Sequence, residues 1–195
     1  MKYYFIIIIS FIINAISCSQ HTDIAKGMQI YTVSDEIYND PSCEIKVFMH
    51  NIFIDDNIFN NLFKNCKVLN GKLFLSIPDI IQDQYIIHDE YDSMMYMIKY
   101  SVLFIDFKDS NGNGTIFLGK KRDNESYIDH ITFIYSDRNA DIPIPLLSDG
   151  SLKTINFENR WNMIDWVFNE NYNNIQTLYN AGYKWYIKYI PYYGE

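Results

Sequence analysis

The chain has 195 residues, with 16 Lys and Arg against 24 Asp and Glu and a formal net charge of −8. An apolar share of 48% and an aromatic share of 17% exclude a disordered chain, and the acidic balance sets nucleic acid aside as a partner because such a surface repels phosphate. The length suits a single domain with its own core; the wealth of Ile, Asn, Tyr, Phe and Lys is what A+T-rich coding would give, so part of the composition carries no functional meaning.

The first predicted element is a leader. Lys2 is followed by an apolar and aromatic run from Tyr3 to Ile13, broken only by Ser10, and then by the small-residue end "NAISC". That is the three-part layout of a secretory signal peptide over residues 1–17. The run is short of the roughly 20 apolar residues that cross a bilayer, and no later segment reaches that length without charges. Residues 18–27 read as a polar tether and 28–195 as a single α+β domain: a mostly antiparallel sheet of five to seven strands, packed by a C-terminal amphipathic helix and one or two shorter helices.

Within that domain, "MQIYTV" (28–33) and "EIKVFMHNIFI" (44–54) have strand composition, and "DDNIFNNLFKN" (55–65) has helical spacing. "KVLNGKLFLSI" (67–77) sets Asn70-Gly71 between apolar runs, the strongest short hairpin signal because both positions favour φ > 0. "DEYDSMMYMIKY" (89–100) opens with acids suited to a helix N-terminus. "SVLFIDF" (101–107), "GTIFLG" (114–119) and "YIDHITFIY" (127–135) predict a three-stranded meander. Over 159–181, Trp161, Ile164, Phe168, Tyr172, Ile175 and Tyr179 recur at helical steps, with Asn159 as the expected cap and Gly182 as the stop. "YKWYIKYI" (183–190) alternates as a last strand, at an edge guarded by Lys184 and Lys188.

Few constellations carry chemistry. "DSNGNG" (109–114) opens like a calcium loop, but Phe117 and Lys120 occupy its ninth and twelfth positions, so it reads as a plain turn. His21, His50, His88 and His130 have no metal-ligand spacing, and neither a metal nor a cofactor is expected. His88, Asp89, Glu90 and Asp92 would supply an acid/base pair only if they lined a cleft. "NGT" at Asn113 and "NES" at Asn124 match the glycosylation pattern at a frequency chance supplies in so Asn-rich a chain. The densest aromatic stretch, with Tyr183, Trp185, Tyr186, Tyr189, Tyr192 and Tyr193, reads as an interface or as a core strand.

The end of the leader, "AISC", resembles the lipobox of bacterial lipoproteins, with Ala15 standing where Leu is usual. The resemblance implies acylation of Cys18, which becomes the mature N-terminus and a membrane anchor in a bacterial envelope or periplasm. Ala15 and Ser17 equally suit an ordinary signal peptidase. With Cys18 lipidated, Cys43 and Cys66 are left as an even pair, which reads either as a disulfide worth about 3 kcal/mol or as two small buried residues. The expectation is a non-enzymatic, lipid-anchored protein that binds another protein, such as an inhibitor or immunity protein against a toxin or hydrolase. The alternatives are a secreted viral or parasite effector without lipid, and a glycan- or cell-wall-active enzyme using Asp89 and Glu90.

Overall fold

The computed structural model describes residues 21–50, 57–58, 63, 66–81, 86, 98–122, 127–145 and 151–190. In chain order these form β1 (His21–Thr32), β2 (Glu44–His50), β3 (Asn57–Ile58), β4 (Lys67–Leu69), β5 (Lys72–Pro78), β6 (Tyr100–Asp109) and β7 (Gly112–Lys121). They continue with β8 (Ile128–Ser136), β9 (Ala140–Pro145), β10 (Leu152–Phe157), β11 (Trp161–Asp165), β12 (Glu170–Tyr172), α1 (Ile175–Asn180) and β13 (Lys184–Tyr189). Eleven strands share one sheet, while β9 and β10 pair apart as a hairpin. The expected α+β fold is thus corrected to a mostly β one, with a single short helix among the described residues.

The meander β6–β7–β8 organises the sheet, but each of its pairs is joined over only part of its length. β6 pairs with β7 over Asp106–Asp109 and with β8 over Tyr100–Val102, while the far end of β7 pairs with β8 over Gly119–Lys121. From this junction β2 and β3 extend beyond β6, β11 and β12 beyond β8, and β13, β1, β5 and β4 beyond β7. These three arms meet again below: β2 lies against β4, and the Trp161 indole of β11 donates to the Pro78 carbonyl of β5 at 2.7 Å. The enclosed face holds the main core, including Leu73, Leu75, Leu103, Leu118, Phe133 and Trp185. On the outer face, Ile142, Ile144, Ile155 and Phe157 of the β9–β10 hairpin pack over Tyr100, Val102 and Ile134.

Three sequence readings fail for physical reasons. The helix expected over 159–181 is β11, a turn, β12 and then α1. Its Asn and Asp side chains capture the backbone that a helix would need. Asp165 Oδ1 accepts from the amides of Val167 and Phe168 at 2.9 and 3.2 Å, Asn169 turns at φ 49°, and Asn162 holds Glu158 and Arg160. Asn174, rather than Asn159, caps α1. Gly182 does stop it, at φ 89°, with Gly182 N–H donating to Tyr179 O and Tyr183 N–H to Leu178 O.

β13 is an interior strand rather than an edge, parallel to β1 and antiparallel to β7. The tether expected over 18–27 is strand from His21 onward, paired with β5. Of the helix expected over 55–65, Asn57–Ile58 pairs with β2 as β3 and Phe63 is buried; its other residues, and the opening of the segment at 89–97, lie outside the described residues.

The Asn70-Gly71 hairpin forms as its sequence predicts, with φ of 50° and 71°. Gly71 is required there for space as well, since a Cβ would sit 2.0 Å from the Tyr38 carbonyl oxygen.

Candidate functional site

The strand registers leave Leu103–Ile105 of β6, Ile116–Leu118 of β7 and Ile131–Phe133 of β8 without partners across the junction. The strands therefore bound a triangular window in the sheet. Two glycines of β7 flank the unpaired segment. A Cβ on Gly114 would lie 2.3 Å from the Lys188 carbonyl oxygen, and one on Gly119 would lie 2.6 Å from Ile128 Cγ2. Only glycine lets β7 approach its neighbours closely enough at these two places to change partner between them.

A cavity of about 750 Å³ is lined by residues of both sheet faces around this window, within the roughly 300–1,000 Å³ typical of small-molecule sites. On its inner side stand Leu103, Ile105, Ile116, Leu118, Ile131 and Phe133. Phe133 stacks on Trp185 at 6.0 Å between ring centroids, which closes that side with buried aromatic surface. On the outer side Phe117 meets His130 edge-on at 6.0 Å, and the Trp166 indole donates to Thr132 Oγ1 at 3.0 Å. Val33, Tyr127 and Lys188 complete the lining, and Val33 and Tyr127 are 44% and 54% exposed.

The polar equipment of the cavity is sparse and of one sign. Lys188 and His130 are its basic side chains and both are exposed; Tyr127 adds an exposed phenol, and no carboxylate or thiol joins them. Lys188 enters no ion pair among the described residues. The hydroxyls on the lining are those of Thr115, Tyr127 and Thr132, of which Thr132 Oγ1 accepts from the Trp166 indole. What the arrangement supplies is a deep apolar volume with a cationic mouth, in a chain that is acidic overall.

The aromatic residues proposed for an interface are disposed otherwise. Tyr183, Trp185 and Tyr186 are 5%, 1% and 2% exposed, and each polar end finds an internal partner. Tyr183 donates to Asp165 at 2.5 Å, Trp185 to the Tyr179 hydroxyl at 2.9 Å and Tyr186 to Asp35 at 3.0 Å. Burial and the Asp165 carboxylate push the Tyr183 phenol well above its ordinary range. Tyr189 is half-buried, and Tyr192 and Tyr193 lie outside the described residues.

Cys43 and Cys66 are free thiols, so the expected disulfide between them is not present. Burial raises both above the ordinary thiol range, which keeps them protonated and poorly nucleophilic. Cys18, the lipidation candidate, lies outside the described residues, as do His88, Asp89, Glu90 and Asp92. The calcium-like stretch is a hairpin turn: Asp109 Oδ1 accepts from the amides of Asn111 and Gly112, and its Oδ2 accepts from the hydroxyls of Tyr38 and Tyr189.

Among the described residues no cluster of three or more His, Cys, Asp or Glu could hold a metal, and no helix is long and apolar enough to cross a membrane. Sequence reasoning missed the cavity; the glycines inside a strand pattern, Gly114 and Gly119, were its one available signal. No family model, curated protein or solved structure matches the chain.

Proposed function

We propose that the chain is an exported, non-enzymatic binding protein that takes an apolar group into the cavity at the strand junction, and that a lipid on Cys18 holds it in a bacterial cell envelope. The observation that carries the binding reading is the unpaired window, because it gives an outside ligand a path to apolar surface within the core. Export and anchorage rest on the leader and the lipobox-like "AISC". The geometry agrees with such anchorage: β1 begins at His21 and runs 12 residues, about 40 Å of extended chain, before reaching Val33 at the cavity. A lipid at Cys18 therefore holds the end of β1 remote from the cavity.

The binding reading is tested with N-phenylnaphthylamine, a neutral apolar fluorophore. Trp166 and Trp185 line the cavity, so saturable energy transfer from tryptophan at one site per chain is the expected result. Ile116→Phe, which narrows the window, should weaken it at least tenfold while a cooperative thermal transition shows the fold retained. Absence of saturable binding, or binding indifferent to Ile116→Phe in folded protein, overturns the reading. Anchorage is tested by the mass of the N-terminal peptide: a diacylglyceryl Cys18 in the membrane fraction is expected, and a soluble product with unmodified Cys18 would favour a secreted effector.

A second reading keeps a protein partner, such as a toxin or hydrolase that this chain inhibits. Exposed Val33 and Tyr127 beside the cavity support it, since they give an apolar rim that a partner could cover. Recovery of no protein by the purified chain from envelope extract, at any salt, would sink it.

A further inference from the structure

We infer that the occupant of the cavity is an amphiphile with one aliphatic chain and an acidic head group, the chain lying in the window and the head beside Lys188. The inference rests on the binding reading above and adds the ligand's chemistry.

Three observations point the same way. The window is bounded by short unpaired stretches of three strands, so a slender chain passes where a bulky ring system would have to part the paired ends. Leu103, Ile105, Ile116, Leu118 and Ile131, which line the inner side, are branched aliphatic residues that make dispersion contacts with methylene groups and offer no side-chain hydrogen bond. The lining carries one lysine, Lys188, and no carboxylate. β13 carries Lys188 opposite Thr115 of β7, on the sheet face that also bears Phe117 and His130.

The surroundings sharpen the choice of sign. Asp35, held by Lys121 at 2.8 Å, and Asp129, held by Arg122 at 2.6 Å, both lie off the cavity lining, which carries no carboxylate. Asp106 lies on the same face, opposite Thr115 in the register; burial raises it above the ordinary carboxylate range, and Lys46 is the cation that opposes this shift. Lys188 is left for an incoming anion. A cationic head would be repelled and a neutral one would gain only a weaker hydrogen bond, whereas a carboxylate at the mouth adds ionic attraction to its hydrogen bond while its chain stays in apolar surroundings.

The test is calorimetric titration of the purified chain with saturated carboxylates of 10, 12 and 14 carbons and with the matching primary alcohols, each below its aggregation threshold. Each added methylene should raise affinity about fourfold. The carboxylates should bind at least fivefold tighter than the alcohols at low salt, and Lys188→Gln, an exposed substitution that leaves the core untouched, should abolish that preference while leaving the alcohols unchanged. Equal affinity for acid and alcohol overturns the acidic head and leaves the cavity reading intact. Affinity independent of chain length overturns the aliphatic chain, again with the cavity reading intact if N-phenylnaphthylamine still binds. Failure of both series and of the fluorophore overturns both proposals.

Discussion

Replacing Asp109 should cost this fold several kcal/mol, because one carboxylate ties a turn to two tyrosines. Its carboxylate is only 9% exposed and accepts four hydrogen bonds: from the amides of Asn111 and Gly112 at 2.8 and 3.1 Å, and from the hydroxyls of Tyr38 and Tyr189 at 2.8 and 2.7 Å. In Asp109→Ala the half-buried turn amides can turn to water, a loss of about 0.5–1 kcal/mol each. Tyr38 is buried, so its hydroxyl, left with only the weakly bonding Cys43 thiol, bears a desolvation cost of about 1–3 kcal/mol. With a smaller loss at Tyr189, the total comes to about 3–5 kcal/mol. Asp109→Asn keeps an oxygen for the turn and turns its amide toward the hydroxyls, so about 1–2 kcal/mol is expected. Urea unfolding followed by tryptophan fluorescence reads both values. A double-mutant cycle with Tyr38→Phe should return at least about 1 kcal/mol of coupling. If Asp109→Ala lies within about 1 kcal/mol of wild type with the m-value unchanged, the carboxylate is not the tie described here.

Three further outcomes are expected. Gly119→Ala places a methyl 2.6 Å from Ile128 Cγ2 and 2.8 Å from the Asp129 carbonyl oxygen, and should cost about 2–3 kcal/mol by overpacking the β7–β8 corner, read by thermal unfolding. Burial first, then hydrogen bonds to Glu170, Asp35 and Asp109, push the phenols of Tyr172, Tyr186 and Tyr189 up to about 12. Stability they contribute is whole below pH about 10, where the unfolded phenol titrates, and is lost as pH rises toward 12, so phenolate absorbance and loss of near-ultraviolet dichroism should rise together above pH 10. Trp161→Phe removes the bond to the Pro78 carbonyl and should cost about 1–2 kcal/mol, with amide exchange in β5 speeding up before that in β6.

The parts of this fold that local chemistry decides could be read from the sequence. Asn70-Gly71 needs positive φ and gets it; the "KDSNGN" loop turns on its own Asp109; Gly182 ends a helix. What long-range pairing decides could not. β11 buries Asn162, Met163, Ile164 and Asp165 in succession, so no alternation marks it as a strand, and the surviving spacing of Trp161, Ile164 and Phe168 imitated a helix. The polar ends of Tyr183, Trp185 and Tyr186 suggested a wet surface, but their partners at Asp165, Tyr179 and Asp35 are reached only through the tertiary fold. The cavity is a product of three registers, and a register is a relation between segments that neither segment records alone.

β13 lies between β1 and β7, and the Tyr179 hydroxyl reaches the Ile24 carbonyl across 155 residues of chain. The block of β1, β5 and β4 therefore joins the rest of the sheet only when β13, far downstream in the chain, docks beside β1. Until then Ile24, Ile30, Leu73 and Leu75 have no lasting cover, and the wall of the core stands open along its length. Such a chain should fold slowly and late, with its hairpins forming early and its closure waiting on a pairing of high contact order. The rigidity of the sheet is thus set by one pairing between segments far apart in sequence, rather than by the hairpins themselves.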